Sequence, residues 1–233
     1  MTEMTGTNDV NRGNPEVYDH YDQAYFDWQS QCGAVGGWAN QDKYRNTVRK
    51  DMRVLDFGCG GGFLLSQLDC KERFGIEPNP AARACAANNG LTMFPGPEEA
   101  LAALGEGSLD MIISDNALEH ALEPWRALQA LVPLLKPGGK LHMYVPCENI
   151  SWRYQEENID QHLYSWSPQS IGNLAKAAGF KVIYSRPYIH KWLPKTQFFV
   201  KMGRPIFNLA SRIWGQIDRR WFQIELMAER AAK

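Results

Sequence analysis

The sequence predicts one α/β domain built on a largely parallel sheet with crossover helices. Two observations carry this prediction. Strand-like apolar segments alternate with helix-like segments through the central part of the chain, which is the pattern of a parallel sheet. The first strand runs directly into a glycine-rich loop, over residues 53–62, where glycines allow positive φ and close approach of a ligand to the backbone. The length of 233 residues fits a single domain of this kind.

Seven segments are predicted as strands because each is a short apolar run bounded by glycine, proline or polar residues. They are 53–57, 73–77, 91–94, 109–114, 140–145, 181–185 and 221–228. The first strand ends at glycines, and the fifth ends at Pro146. Short strands of this kind, separated by helix-like segments, are typical of a sheet that is covered on both faces.

Four helices are predicted between these strands from apolar spacing and end signals. They are 63–68, 80–88, 124–135 and 168–178. Pro124 and Pro168 stand in the first turns of the last two, and Ser167 is placed to cap the second of these. Residues 136–139 end the third helix, and Gly179 is placed as the carboxyl-terminal cap of the fourth.

The amino-terminal part is predicted to lie outside the alternating region. Residues 1–15 have no apolar periodicity and are expected to form a disordered tail. Residues 16–47 are dense in aromatics and are predicted to form a helical lid, with a helix packed on the sheet edge as the alternative. The domain itself is expected over 48–233, with a helical insertion at about 190–220. The lid residues expected to contact a substrate are Tyr21, Tyr25 and Trp38.

Composition and charge narrow the class of function. The formal net charge of −1 provides no global field that would attract nucleic acid. Five cysteines without a C-x-x-C pair predict reduced thiols rather than a disulfide framework or a zinc site. No signal-peptide pattern begins the sequence, and no apolar run reaches the roughly 18 residues of a membrane-spanning helix. We therefore expect a soluble, cytoplasmic protein that binds no nucleic acid.

The glycine loop indicates the kind of ligand. A dinucleotide fingerprint would need Gly or Ala where Phe63 stands, and no phosphate-binding G-x-x-x-x-G-K-[ST] loop is present. Asp56 would repel a pyrophosphate but suits a cationic ligand. S-adenosylmethionine has this character, since its sulfonium and its ammonium are both positive. The loop residues predicted to bind it are Asp56, Gly58, Cys59, Gly60 and Gly62.

The end of the second strand supports the same ligand. Glu77 follows Gly62 by 15 residues, at a position where a carboxylate can accept hydrogen bonds from both hydroxyls of a ribose. Pro78 comes directly after it and resembles the turn residue that lines an adenine. Glu77 alone would be as well explained as a capping or solvated residue, but the preceding glycine loop favours the ribose role.

Taken together, these motifs resemble class I S-adenosylmethionine-dependent methyltransferases of the small-molecule type. The resemblance covers about residues 48–228 and is carried by D-x-G-x-G-x-G at 56–62, E-P-N at 77–79, S-D-N-A-L-E-H at 114–120 and K-P-G-G-K-L at 136–141. It implies a seven-stranded Rossmann-like sheet of order 3-2-1-4-5-7-6, with the last strand antiparallel. It also implies cofactor contacts from Ser114 and Asn116 and from Gly96 near the adenine. Pro97 excludes a backbone donor at its own position.

Methyl transfer to a hydroxyl needs a base, and two histidines are the candidates. His120 and His162 both stand in segments similar to those of small-molecule methyltransferases, and imidazole titrates near neutral pH. Local packing or loop ordering is the alternative role for each, and we favour His162 slightly as the base. The sequence has no dense carboxylate cluster, so no metal is expected. The N/D-P-P-Y/F motif of base-modifying enzymes is absent after the fourth strand, where residues 114–117 read S-D-N-A.

The acceptor is expected to be a small or lipid- or glycan-linked molecule, methylated at oxygen. Residues 195–220 combine an apolar stripe with six Lys and Arg residues. This segment is predicted to pack on the domain or on a second copy in a homodimer, or else to cover the acceptor and touch anionic lipid. Two further functions remain open: a S-adenosylmethionine-binding regulatory protein without catalysis, and a Rossmann oxidoreductase, against which Phe63 and Asp56 argue.

Overall fold

The computed structural model describes residues 23–149, 151, 153–156, 158 and 160–231. Seven strands form a single sheet. They are β1 (Arg53–Phe57), β2 (Glu72–Ile76), β3 (Thr92–Phe94), β4 (Leu109–Asp115), β5 (Leu135–Glu148), β6 (Phe180–Tyr188) and β7 (Trp221–Arg230). Each overlaps one of the seven predicted strands, and the first was predicted with both of its ends.

The sheet order is β3-β2-β1-β4-β5-β7-β6, which confirms the predicted topology. The first five strands pair in parallel, and β7 runs antiparallel to both β5 and β6. The carboxyl ends of β1, β2 and β4 therefore meet at one edge of the sheet. In doubly wound sheets ligands bind at this edge, beside the strand where the order reverses.

Seven α-helices accompany the strands in the described part of the chain. They are α1 (Gln23–Tyr44), α2 (Pro80–Asn88), α3 (Pro97–Leu104), α4 (Pro124–Leu131), α5 (Pro168–Ala177), α6 (Thr196–Lys201) and α7 (Arg204–Ile217). The helices α6 and α7 fall between β6 and β7, inside the segment predicted as an insertion. Helix α1 falls inside the segment predicted as a helical lid, and its last residue, Tyr44, is fully buried against the sheet. Helix α3 was not predicted.

The predicted helix over 63–68 is wrong, because only a single 3-10 turn, Leu65–Gln67, forms there. Few residues separate the glycine loop from β2, and so short a segment does not repay helix nucleation. The carbonyls of Leu65 and Leu68 instead accept hydrogen bonds from the guanidinium of Arg73 on β2, at 3.2 and 2.7 Å. These two hydrogen bonds satisfy carbonyls that a longer helix would have paired.

The helix predicted over 124–135 ends earlier than expected, at Leu131. A 3-10 turn, Val132–Leu134, follows, and β5 begins at Leu135, before residues 136–139, where the sequence predicts the end of the helix. Pro133 has no amide hydrogen and so cannot extend the helical ladder. The apolar spacing that continues to Leu135 reflects burial on β5, not a further helical turn.

The sheet carries a hydrophobic core on each face. The neighbours Val54 and Leu55 on β1 are both fully buried but belong to different clusters, since successive strand residues point to opposite faces. One face packs against α3, α4 and α5. The other packs against α1 and α2, and Tyr44 of α1 lies in its core. The chain thus forms three layers, with the site at the carboxyl edge of the central one.

Candidate active site

The glycine turn after β1 requires glycine for backbone reasons. Gly58, Gly60 and Gly62 all have positive φ, at 71°, 51° and 74°. A Cβ at Gly58 would collide with the side chain of Ala117, and one at Gly62 would lie 3.0 Å from Cα of Ala86 in α2. The turn is therefore packed against both the segment after β4 and α2, and no other residue type fits these two positions without strain.

Glu77, directly after β2, holds this turn in place. Its Oε2 accepts a hydrogen bond from the amide of Gly60, and its Oε1 accepts one from the amide of Asn79, each at 3.0 Å. Burial raises the pKa of the Glu77 carboxyl, although these two hydrogen bonds and Arg83 act in the opposite direction. The carboxylate predicted to bind a ribose thus lies against the glycine turn, where a ligand on the turn would meet it.

Asp56 brings a second carboxyl to the turn. It is buried at the end of β1, and burial, followed by the nearby charges of Asp115 and Glu77, raises its pKa well above the usual range. Three carboxyl groups therefore share one low-dielectric edge of the sheet. A cationic ligand would stabilise their ionised forms, whereas a phosphate would add to the repulsion.

A buried ion pair compensates one of these carboxylates. Nζ of Lys43, from α1, lies 2.8 Å from Oδ2 of Asp115, and both side chains are almost fully buried. Burial lowers the pKa of Lys43, while Asp115 acts to raise it. Gln223 of β7 donates to Asp115 at 2.9 Å and to Asn116 at 3.0 Å. Sequence reasoning missed Lys43 and Gln223, since they lie 72 and 108 residues from Asp115.

The other predicted cofactor residues surround this edge. Ser114 is buried and donates to the carbonyl of Phe57 at 2.9 Å, so it ties β4 to the end of β1. Asn116 has a positive φ of 54° just beyond β4. Cys59 lies within the turn, and burial raises the pKa of its thiol well above the usual range. Pro78 follows Glu77, and Gly96 is the N-cap of α3. Their roles toward a cofactor stay predictions.

The two candidate histidines lie together, on either side of a buried carboxyl. The rings of His120 and His162 pack edge to face, with their centroids 5.1 Å apart. Glu119 lies between them: its Oε1 is 4.0 Å from Nε2 of His120 and 3.9 Å from Nε2 of His162. The other ring nitrogen of His162, Nδ1, lies 2.7 Å from Oε1 of Glu148 at the end of β5. Sequence spacing did not place the two histidines together, because 42 residues separate them.

Glu119 is the most unusual group of this cluster. Its side chain is fully buried, and neither carboxyl oxygen has a hydrogen-bond partner among the residues that the structure describes. Burial raises the pKa of Glu119 well above the usual range. A positive charge formed on either imidazole would favour ionisation of this carboxyl. The ligand atoms of Glu119, His120 and His162 also lie within 4.8 Å of one another, a spacing that a divalent cation could bridge.

A polar groove of about 490 Å³ opens beside Lys43, the ion-pair partner of Asp115. It lies between α1, α7 and the strands β5, β7 and β6, and its lining includes Lys43, Tyr144, Arg186, Tyr188, His190 and Arg212. Nζ of Lys43 is 4.8 Å from the ring centre of Tyr144 and 5.8 Å from that of Tyr188. The groove therefore begins at the ion pair that borders the glycine turn.

Glu225 organises the floor of this groove. Its carboxylate accepts hydrogen bonds from Tyr184 and Arg186, at 2.9 and 2.8 Å, and lies 3.1 Å from Nε2 of His142. Burial opposes ionisation of Glu225, but the hydrogen bonds from His142, Arg186 and Tyr184 outweigh it and lower the pKa to about 2. The floor is thus fixed by one ionised carboxylate with several donors.

The aromatics predicted to contact a substrate are only partly observable. Tyr21 lies outside the described residues, and Tyr25 belongs to the part of α1 whose side chains are not described. Trp38 is half-buried and packs edge to face on Phe207 of α7, with ring centres 5.4 Å apart. The guanidinium of Arg204 lies 4.3 Å from the centre of the Trp38 ring. Trp38 therefore joins α1 to α7, and its substrate role stays a prediction.

Comparison with known proteins gives a consistent family. A family profile described as "Methyltransferase domain" matches residues 39–185. A ubiquinone biosynthesis O-methyltransferase of Roseobacter denitrificans is 40% identical over 113 residues, which are 45% of each chain, so the chain spans less than half the length of that relative.

Two solved structures share the fold. A Haloferax volcanii protein solved with the Trm112 methyltransferase activator has a TM-score of 0.65 and 17% identity, covering 93% of this chain and 97% of that one. A S-adenosylmethionine-dependent methyltransferase of Thermotoga maritima has a TM-score of 0.63 and 16% identity, covering 92% and 98%.

Proposed function

Since the chain belongs to the methyltransferase-domain family, of the class I S-adenosylmethionine-dependent kind, we propose that it methylates a hydroxyl of a small acceptor. The observation that carries the proposal is the group of buried carboxyls beside the glycine turn, with the paired rings of His120 and His162 in the segments that follow the neighbouring strands β4 and β5. S-adenosylmethionine, when bound, supplies an activated methyl group as a sulfonium.

On the donor side, the residues at the sheet edge fit that cofactor. Glu77 is proposed to bind the ribose hydroxyls, and Pro78 and Gly96 are proposed to lie toward the adenine. Asp56 and Asp115 supply negative charge for the sulfonium or the ammonium, and Ser114 and Asn116 shape the segment beside them. Orientation is the main contribution needed from the protein, because the donor is already reactive. This assignment rests on the packing of the turn and on the raised pKa of Asp56.

On the acceptor side, His162 is proposed as the base. The hydrogen bond between its Nδ1 and Glu148 favours the tautomer with the proton on Nδ1, which leaves Nε2 free to accept a proton from the acceptor hydroxyl. With the hydroxyl proton held on His162, the acceptor oxygen would take the methyl group that bound S-adenosylmethionine would supply. Glu148 and Glu119 stabilise the imidazolium until the proton leaves to water.

The acceptor is proposed to be a hydroxylated aromatic compound whose reacting hydroxyl meets His162 and whose remaining part extends past Asp115 into the groove. Tyr144, Tyr188 and His190 offer flat walls, and Arg186 and Arg212 suit a negative substituent. A volume of about 490 Å³ falls within the range of small-molecule sites. The name of the relative from Roseobacter denitrificans, an O-methyltransferase, supports oxygen as the atom that is methylated. A lipid- or glycan-linked acceptor would extend out of the same groove.

The test is methyl transfer from labelled S-adenosylmethionine to a panel of hydroxylated aromatic acids. We expect His162→Gln to lower kcat by about 100-fold or more, as for removal of a general base, and to keep cofactor affinity. His120→Gln, which alters the neighbouring ring but not the contact with Glu148, is the matched variant and should have a smaller effect. Normal turnover by His162→Gln would contradict the assignment of the base.

Two further outcomes separate alternative functions. Saturable cofactor binding without transfer to any acceptor of the panel would favour a regulatory protein over an enzyme. Loss of turnover in a chelator, restored by Mg²⁺, would assign Glu119, His120 and His162 to a cation and contradict the proposal that His162 acts as a free base. We expect turnover to be unchanged by the chelator.

A further inference from the structure

Helix α7 has two apolar faces, and only one of them is used inside the molecule. The inward face consists of Phe207, Ser211 and Gly215, all buried. A Cβ at Gly215 would lie 3.0 Å from the side chain of Ile189, so this face is in close contact with the segment after β6. Apolar residues on the opposite face are therefore not needed to hold α7 on the domain.

The outward face exposes an apolar stripe to solvent. Ile206, Leu209, Ile213 and Ile217 recur at helical spacing and are exposed by 43%, 63%, 55% and 69%. The apolar surface continues onto α6 and the turn after it, where Phe198 and Met202 are exposed by 60% and 45%. Scattered apolar residues are ordinary on a surface, but a continuous stripe along a helix indicates a contact. These six residues are called the outer stripe below.

The charges around the outer stripe are almost all positive. Residues 191–220 contain seven Lys and Arg residues and one acidic residue, Asp218. Asp218 already pairs with Lys191 and Arg220, at 2.8 Å each. Lys195, Lys201, Arg212 and Arg219 are exposed beside the stripe. The surface therefore presents an apolar line with a basic border.

We propose that the outer stripe docks the protein on an anionic membrane surface. An exposed apolar face bordered by Lys and Arg is what an interfacial helix needs, since apolar side chains enter the headgroup boundary while cations meet anionic lipid. A second copy of the chain fits less well, because a two-fold contact through this stripe would bring two basic borders together. Among the described residues, no helix combines the length and the apolar character of a membrane span.

The docking would place the groove next to the lipid. Asn208 and Arg212 of α7 line the groove, while Leu209 and Ile213, their neighbours in sequence, belong to the outer stripe. One helix thus lies between the bilayer and the proposed acceptor site. The docking does not depend on the proposed function, because it rests on exposure and charge alone.

The experiment is co-sedimentation of the full chain with vesicles, either phosphatidylcholine alone or phosphatidylcholine mixed with phosphatidylglycerol. We expect binding to the mixed vesicles that weakens with added salt. The double variant Leu209→Gln/Ile213→Gln should bind roughly tenfold more weakly or worse, because two apolar anchors are lost. The double variant Lys201→Gln/Arg219→Gln should lose about fivefold for each removed charge.

The matched control is Ile183→Gln, which changes an apolar residue exposed by 46% on β6, outside the outer stripe. It should bind the mixed vesicles like the unaltered chain. Absence of binding to anionic vesicles, or equal binding by the Leu209→Gln/Ile213→Gln variant, would overturn the proposal. A dimer in light scattering that this same variant dissociates would assign the stripe to a second copy instead.

Discussion

The glycine turn and the groove both lie near Asp115 but are built in different ways. The turn is a short run of backbone, held by the amides that Glu77 accepts and by the absence of Cβ atoms at Gly58 and Gly62. The groove is built from side chains of α1, β5, β6, α7 and β7, and charged pairs hold it together. Few amino-acid substitutions are compatible with the backbone of the turn, whereas substitutions among the side chains that line the groove can change which ligand it binds. The proposed donor side is therefore the fixed part of the molecule, and the proposed acceptor groove is the adaptable part.

Lys43 joins the two regions, and we expect its substitution to have the largest effect on the free energy of unfolding. Lys43→Met leaves Asp115 buried without its cation, which costs about 3–5 kcal/mol for a broken buried pair. Lys50→Met, in an exposed pair with Asp69, is the matched control and should cost less than about 1 kcal/mol. Urea denaturation measures both. Equal free energies of unfolding for the two variants would show that Lys43 does not support the boundary between the regions.

The backbone character of the turn is tested at Gly58. Gly58→Ala adds the strain of positive φ and a collision with Ala117, so we expect a loss of about 2–5 kcal/mol in the free energy of unfolding. Gly90→Ala is the control, because φ there is +88° but nothing lies within 4 Å of the added Cβ. Gly90→Ala should lower the free energy of unfolding only by the strain of a positive φ, about 1–2 kcal/mol. If both glycines tolerate alanine equally, close packing of the turn is not what requires glycine.

The side-chain character of the groove is tested by pH. The pKa of Glu225 is lowered from 4.5 to about 2, so its stabilising contribution is complete above pH 4.5 and is lost as pH falls toward 2. The loss should reach about 3 kcal/mol at most. Glu225→Gln should be less stable than the unaltered chain at neutral pH, with a difference that shrinks on acidification. Glu106→Gln, at an exposed residue outside the sheet, should keep the original pH profile. Denaturation at several pH values measures the free energy of unfolding of each chain. If the pH profile of Glu225→Gln stayed parallel to that of the unaltered chain, it would contradict this account.

The smallest expected effect is at Glu77. Glu77→Gln keeps the size of the side chain but removes the charge that the amides of Gly60 and Asn79 meet. Loss of charge-assisted hydrogen bonds to the turn and to a ribose should weaken cofactor binding by roughly 10- to 100-fold. Calorimetric titration measures this, with Glu72→Gln, a partly exposed residue at the other end of β2, as the control. Unchanged affinity in Glu77→Gln would remove this residue from the cofactor site.

The sequence predicted the glycine turn after β1 for a physical reason. The turn uses adjacent residues whose backbone conformation only glycine adopts easily, so residue type reports geometry directly. The strand order followed from family resemblance, and the apolar runs located every strand. The helix predicted over 63–68 does not form, because the guanidinium of Arg73 on β2 donates hydrogen bonds to carbonyls that would otherwise accept them within the helix.

The side-chain contacts around Asp115 and Glu119 could not be predicted in the same way. Lys43, Asp115 and Gln223 come from three distant segments, and nothing in their local sequence reports that they meet. His120 and His162 were each selected from local motifs, but their shared contact with Glu119 appears only in the fold. The insertion was predicted as amphipathic, yet its apolar stripe lies outward rather than against the domain.

Calorimetric titration of the purified chain with S-adenosylmethionine, its demethylated product and NADH tests the central claim most directly. We expect saturable, one-to-one binding of the first two ligands and none of the third, because three carboxyl groups at the turn favour a cation and oppose a pyrophosphate. Saturable binding of NADH, or no binding of either adenosyl compound, would contradict the claim.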